Sequence, residues 1–131
     1  MHEELRRELE ACLQHQDLRQ VELGLRRLIP RAKRTGDPFL CAEIYSLIAR
    51  PVALQGRIPA AYEALNDADF ILMQAERARS AARIRYLIEL GRIHQLAGWP
   101  DRARARWKEG KELASCLGES ELETELESLL A

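Results

Sequence analysis

The apolar residues of this chain recur at intervals of three and four, a spacing that places them on one face of an α-helix. Strand signals are scarce, because the sequence contains no Asn-Gly or Asp-Gly hairpin turn and only 5% of its residues are aromatic. Turn-forming residues separate the helical runs at residues 16–17, 36–38, 56–59, 98–100 and 118–120. The pattern therefore predicts an all-α protein.

Capping residues predict where several of the helices start. Asp37 stands directly before a proline, which suits an N-cap followed by proline at the first helical position. Pro59 and Pro100 can start helices in the same way. Ser120 followed by Glu123 has the spacing of a capping box, which predicts a short final helix whose leucines share one face.

One boundary between helical runs carries neither glycine nor proline. We place a turn at residues 76–80, with Ser80 as the N-cap, because a single helix of about 40 residues would far exceed the usual length. The repeat described below also requires a break at this point.

Composition and charge narrow the class of protein. The chain has 131 residues, 47% of them hydrophobic, which is enough for one domain with its own core. The 20 basic and 21 acidic residues leave a net charge of -1, so no overall field attracts nucleic acid or an anionic membrane. Three cysteines are too few for a disulfide framework, and no uncharged run is long enough to span a bilayer. We expect a cytoplasmic protein with no membrane contact.

The sequence repeats itself with a period of about 40 residues. Segments that begin at His2, Ala42 and Ile84 align so that apolar or small residues coincide in each. The aligned sets are Leu5, Tyr45 and Leu87; Leu9, Ala49 and Gly91; Val21, Ala61 and Ala103; and Leu25, Leu65 and Trp107. This self-similarity predicts three copies of a helix pair.

In its third copy the repeat resembles the tetratricopeptide repeat family. Leu90 and Gly91 stand at the Leu-Gly of that family's first helix, and Ala103, Trp107 and Gly110 stand at the small, aromatic and small positions of its second helix. The resemblance, to the long-unit bacterial type, implies a right-handed solenoid of helical hairpins. Its units would be residues 2–36, 42–76 and 84–117, with a capping helix at 120–131, in a single domain over residues 1–131.

Gly91 inside a helical run needs an explanation, since glycine there costs about 1 kcal/mol relative to alanine. We expect Gly91 and Ala103 to face each other where the two helices of the third unit cross, with Trp107 beside the crossing, because small residues allow helix axes to approach closely. The alternative is an irregular bundle of five or six helices in which the glycines have no common purpose.

Catalytic and metal-binding patterns are missing from the sequence. It contains no P-loop, dinucleotide fingerprint or nucleophile motif. Cys12 and His15 lie three residues apart, but His2 is the only further ligand near them and a closed metal site needs four. His94 stands where the resembled family has tyrosine and is expected to be a packed histidine bonded within its unit. We expect no enzyme, no metal and no cofactor.

The resemblance implies a partner-binding groove lined by the first helix of each unit. The groove residues are then Arg6, Ser46, Arg50, Arg85, Ile88, Arg92 and Gln95. Because Arg50 and Arg92 are equivalent in successive units, they predict a basic wall that suits an acidic segment of another protein. The alternative is that these arginines pair with Glu43, Glu89 and their neighbours.

These expectations favour a protein-interaction module, regulatory or scaffolding, that binds a peptide or helix of a partner. A nucleic-acid-binding domain of a transcription regulator is the alternative, prompted by the arginine-rich residues 26–34 and 102–108. Their basic residues are spread around the helix, which makes nucleic acid the weaker hypothesis. Self-association through an exposed end of the solenoid is a third.

Overall fold

The computed structural model describes residues 2–75 and 80–131, and these form seven α-helices and no strands. The helices are α1 (Glu3–Leu13), α2 (Leu18–Thr35), α3 (Pro38–Leu54), α4 (Ile58–Gln74), α5 (Ala81–Leu96), α6 (Pro100–Leu117) and α7 (Ser120–Leu130). The prediction of an all-α protein is confirmed. No helix in the described ranges combines the length and the apolar character needed to cross a membrane.

Most of the predicted helix starts are confirmed. The Asp37 carboxylate accepts hydrogen bonds from the backbone N–H groups of the second and third residues of α3, at 3.0 and 3.2 Å. The Ser80 hydroxyl caps α5 by accepting a 3.1 Å bond from the backbone of Arg83. Pro59 and Pro100 lie in the first turns of α4 and α6. The turn placed at residues 76–79 lies outside the described residues.

The predicted capping box at the start of α7 is wrong by one residue. Ser120 is the first residue of the helix, and Glu119 takes the N-cap position without a side-chain cap bond. In a capping box the Ser120 hydroxyl would accept a hydrogen bond from the backbone N–H of Glu123. This N–H instead donates to the Glu119 carbonyl at 2.9 Å, as in a regular α-helix.

Consecutive helices pack against each other, and α3 and α5 also pack together. Buried residues of α1 to α5 form one cluster around Leu25, Ile44 and Ile48. A second cluster unites α5, α6 and α7 around Ile88 and Leu126. Because α5 contributes to both clusters, the apolar core continues from the first helix pair to the last helix.

Gly91 makes room for the indole of Trp107, so the expected facing of Gly91 and Ala103 needs correction. A Cβ atom added at Gly91 would overlap three atoms of that indole ring. Trp107 is only 2% exposed, and its Nε1 donates to the Ile88 carbonyl at 3.1 Å. The interior glycine is therefore explained by close packing, but the group packed against it is the indole of Trp107 and not the methyl group of Ala103.

Candidate functional site

The seven predicted groove residues lie on α1, α3 and α5, with very different exposures. Arg6 and Gln95 are exposed, whereas the side chains of the three remaining arginines are partly buried. Ser46 and Ile88 are fully buried, at 0% exposure each. We expected these two side chains on the groove surface, but Ile88 lies in the core cluster that α5 forms with α6 and α7, and neither side chain can contact a partner in this conformation.

The exposed and half-buried arginines are joined to glutamates in a series that we call the arginine–glutamate ladder. Each step connects one odd-numbered helix to the next, from α1 to α3, from α3 to α5 and from α5 to α7. The steps are Arg6 to Glu43 at 3.2 Å, Arg50 to Glu89 at 3.3 Å and Arg85 to Glu125 at 3.0 Å, and Arg92 also reaches Glu125 at 3.3 Å. The face predicted to bind a partner is therefore charged but internally paired.

Glu89 is the buried centre of the ladder. Its side chain is 0% exposed, and one carboxylate oxygen lies 3.3 Å from Nε of Arg50. The other lies 3.4 Å from Arg85 and 3.8 Å from Arg92. Burial raises the pKa of Glu89, and the three guanidinium groups offset only part of that effect. Glu89 is thus the shared acidic neighbour of three arginines from two helices, and its contact with Arg85 is a hydrogen bond.

Glu125 is bound more directly, by two arginines at once. Arg85 donates to both of its oxygens in a fork, at 3.0 and 3.1 Å, and Arg92 adds a bond at 3.3 Å. Burial alone would raise the pKa of this carboxyl, but the hydrogen bonds and charge of Arg85 and Arg92 lower it. The arginines on α5 therefore stabilise a bound carboxylate anion.

A cleft of about 510 Å³ opens beside the ladder, between its first and last steps. Charged side chains from α1, α3, α5 and the start of α7 line it. They are Arg6, Glu43, Arg85, Glu119, Glu121 and Glu125. Because Arg6 is paired with Glu43 and Arg85 with Glu125, the groove is not the unpaired basic wall that the sequence suggested.

Sequence reasoning missed Glu125 as a member of this site. The glutamates of α7 alternate along the chain, so the sequence pattern does not distinguish Glu125 from Glu121, Glu123 or Glu127. Glu125 reaches Arg85 across 40 residues of chain, which no local pattern indicates. The only available signal was its position directly before Leu126, the fully buried residue that anchors α7.

The other chemical groups considered from sequence lie apart from this cleft. His94 shares a 2.8 Å hydrogen bond with Tyr62 of α4, so its partner belongs to the preceding helix pair and not to its own. Burial lowers the pKa of His94, as do the charges of Arg102 and Arg106. Within residues 2–75 and 80–131, no group of three or more His, Cys, Asp or Glu residues is arranged to hold a metal ion.

Comparison of the chain with protein-family models, with curated proteins and with solved structures found no match. The fold places the chain in the all-α class. A more specific function has to be inferred from the residues of the chain itself.

Proposed function

We propose that this chain is a protein-interaction module that binds a segment of another protein in the cleft beside the arginine–glutamate ladder. In this proposal the three helix pairs form a right-handed solenoid of the tetratricopeptide type, and α7 caps its end. The observation that carries it is the cleft itself, which is open, strongly polar and lined by four helices that the fold holds together. Such a surface can recognise a partner without catalysis.

The geometry of α7 supports the capping part of this proposal. Leu126 is fully buried, while Leu122, Leu129 and Leu130 pack against the same cluster. Glu121 and Glu127 are exposed. Terminal repeats need a polar outer face of this kind to remain soluble.

Photo-crosslinking tests the location of the binding surface. A photoreactive amino acid at Glu121, which lines the cleft, is expected to capture a discrete partner in cells that make the chain. The same group at Asp67, exposed on α4 and away from this cleft, is the control and should capture nothing comparable. Equal products from both positions would move the search to another surface.

Substitution of Arg6 then tests whether a captured partner uses the ladder. Arg6→Ala should weaken binding of the purified partner by about 1 to 3 kcal/mol, the loss expected for a charge-assisted contact. The exposed Arg6–Glu43 pair contributes little to stability, so the variant should unfold at nearly the wild-type temperature. Arg7→Ala removes the same charge from an exposed neighbour outside the cleft, and a similar loss there would contradict the proposal.

A nucleic-acid-binding domain remains the alternative. A second cleft, of about 460 Å³ between α6 and α7, is lined by Arg104, Lys108 and Lys111 but also by Glu112 and Glu123. These carboxylates oppose a phosphate backbone, so binding to duplex DNA should be weak and nearly independent of salt. Fluorescence anisotropy of a labelled duplex over a range of salt concentrations measures this. A steep negative slope of log affinity against log salt would favour the alternative.

A further inference from the structure

The carboxylate of Glu125 occupies a position that has the chemistry of a ligand site. It accepts three hydrogen bonds from two guanidinium groups, two of them from the fork of Arg85. Forked pairing of arginine with a carboxylate is both strong and geometrically specific. The two arginines come from α5, whereas the carboxylate comes from α7.

Both arginines have a second acidic neighbour besides Glu125. Behind them lies the fully buried Glu89, whose Oε2 is 3.4 Å from Nη1 of Arg85 and 3.8 Å from Nε of Arg92. The contact with Arg85 is a hydrogen bond that restrains this guanidinium from within the fold, whereas the longer contact with Arg92 is an ion pair without hydrogen-bond geometry. Arg85 should therefore keep its orientation when Glu125 leaves, while Arg92 stays within ion-pair distance of Glu89.

Glu125 is able to leave without unfolding its helix. Its side chain is 31% exposed and, like Arg85, lines the cleft. The helix itself is anchored by the neighbouring Leu126, which is fully buried. Rotation of one side chain toward solvent thus frees the arginines while α7 stays in place.

We propose that Arg85 and Arg92 form a carboxylate-binding site that Glu125 occupies as an internal competitor, and that a partner binds by presenting its own carboxylate there. The inference rests on the proposed function, since it names the partner chemistry of the same cleft. It also restricts that chemistry. Glu119 and Glu121 line the cleft near this site and repel a uniformly acidic segment, so the partner's carboxylate is expected to stand among basic residues.

The full-length chain carrying Glu125→Gln tests the site with sodium acetate as the probe. Acetate replaces chloride at constant ionic strength, and the side-chain NMR signals of Arg85 and Arg92 are followed. The variant should bind acetate about tenfold or more tightly than the wild-type chain, because a carboxylate no longer competes for the charge-assisted bonds. Glu125→Asp, whose shorter side chain reaches the two arginines less well, should give an intermediate affinity for acetate. This variant replaces Glu125→Gln in the test if Glu125→Gln folds poorly.

Glu127→Gln is the matched control, since it removes the same charge from the same helix at a 52% exposed position that does not line the cleft. Equal acetate binding by the two glutamine variants would overturn the proposal, as would unchanged binding after Arg92→Lys is added to Glu125→Gln. Inorganic phosphate is the second probe, and a preference for it over acetate would contradict a carboxylate site.

The acetate titration and the crosslinking experiment test the two proposals independently of each other. If a partner is captured at the cleft but Glu125→Gln gains no affinity for acetate, the interaction module stands and this inference fails. If acetate binds as expected but no partner is captured, the carboxylate site stands and the proposed function fails.

Discussion

Trp107→Ala is expected to lower the free energy of unfolding by about 3 to 5 kcal/mol, as large-to-small substitutions of buried aromatic residues do. The indole is 2% exposed and fills the space above Gly91, so its removal leaves a cavity between α5 and α6. The substitution also leaves the Ile88 carbonyl without the 3.1 Å bond from Nε1. Urea denaturation followed by circular dichroism measures the loss.

The chain offers a matched control for this substitution. Trp99 is 50% exposed at the N-cap of α6, where its ring lies beneath the guanidinium of Arg102 at 4.5 Å. Trp99→Ala should change the free energy of unfolding by only about 0.5 kcal/mol, the usual range for surface positions. Comparable losses at both tryptophans would contradict the packing described for α5 and α6.

A double-mutant cycle isolates the contact between Gly91 and Trp107. In the wild-type chain Gly91→Ala should destabilise, because its Cβ overlaps a buried ring that cannot move aside cheaply. In the Trp107→Ala background the same change should stabilise by up to about 1 kcal/mol, since alanine is the better helix former. An effect of the same sign and size in both backgrounds would show that the glycine has another purpose.

The second large effect is expected at Glu22, where Glu22→Gln should cost about 3 kcal/mol at neutral pH. Glu22 is 6% exposed and accepts hydrogen bonds from Arg57 at 2.8 Å, Arg26 at 2.9 Å and Gln55 at 3.0 Å. Burial alone would raise its pKa, but these bonds outweigh burial and lower the pKa from 4.5 to about 2.

The lowered pKa of Glu22 fixes the pH range of this effect. A carboxyl whose pKa is lower in the folded chain stabilises the fold above its unfolded pKa, and that contribution disappears as pH falls toward the folded value. The difference between wild type and Glu22→Gln should therefore be complete above the usual pKa of 4.5 and vanish as pH falls to about 2. Guanidinium denaturation across this range gives the measurement.

Glu63→Gln, at an exposed position of α4, controls for the loss of one negative charge. It should stay within about 0.5 kcal/mol of the wild-type chain throughout. A loss at Glu22→Gln that does not change with pH would indicate that side-chain packing, and not the ionised carboxylate, supplies the stability.

Local patterns were sufficient to predict most of the helices. Apolar spacing gave the all-α class, and residues such as Asp37 and Ser80 marked helix starts because capping depends on only a few neighbouring residues. Gly91 was recognised as a packing position. Its partner was misassigned, since alignment of repeats shows which positions meet at an interface but not which side chain fills the space.

The candidate site was less predictable because it depends on contacts between distant residues. The repeat placed Arg50 and Arg92 on one face, and both arginines are found in the ladder. Their pairing with Glu89 confirms the alternative that the sequence left open. The bond from Arg92 to Glu125 was not predicted, because it depends on how α7 packs on α6. Ser46 and Ile88 were placed on the surface, but whether a helix face is covered depends on how closely its neighbour approaches.

The packing of helices against near neighbours in the chain also governs how the fold can form. The main contacts join helices that are one or two positions apart, from α1 on α2 to α7 on α6. Short separations close with little loss of chain entropy, and chains of this kind fold quickly for their size. Since α3 packs closely on α2 and α4, these three helices have all their main partners except α5 within residues 3–74. During synthesis on a ribosome, this nucleus can collapse before the residues of α6 and α7 have been made.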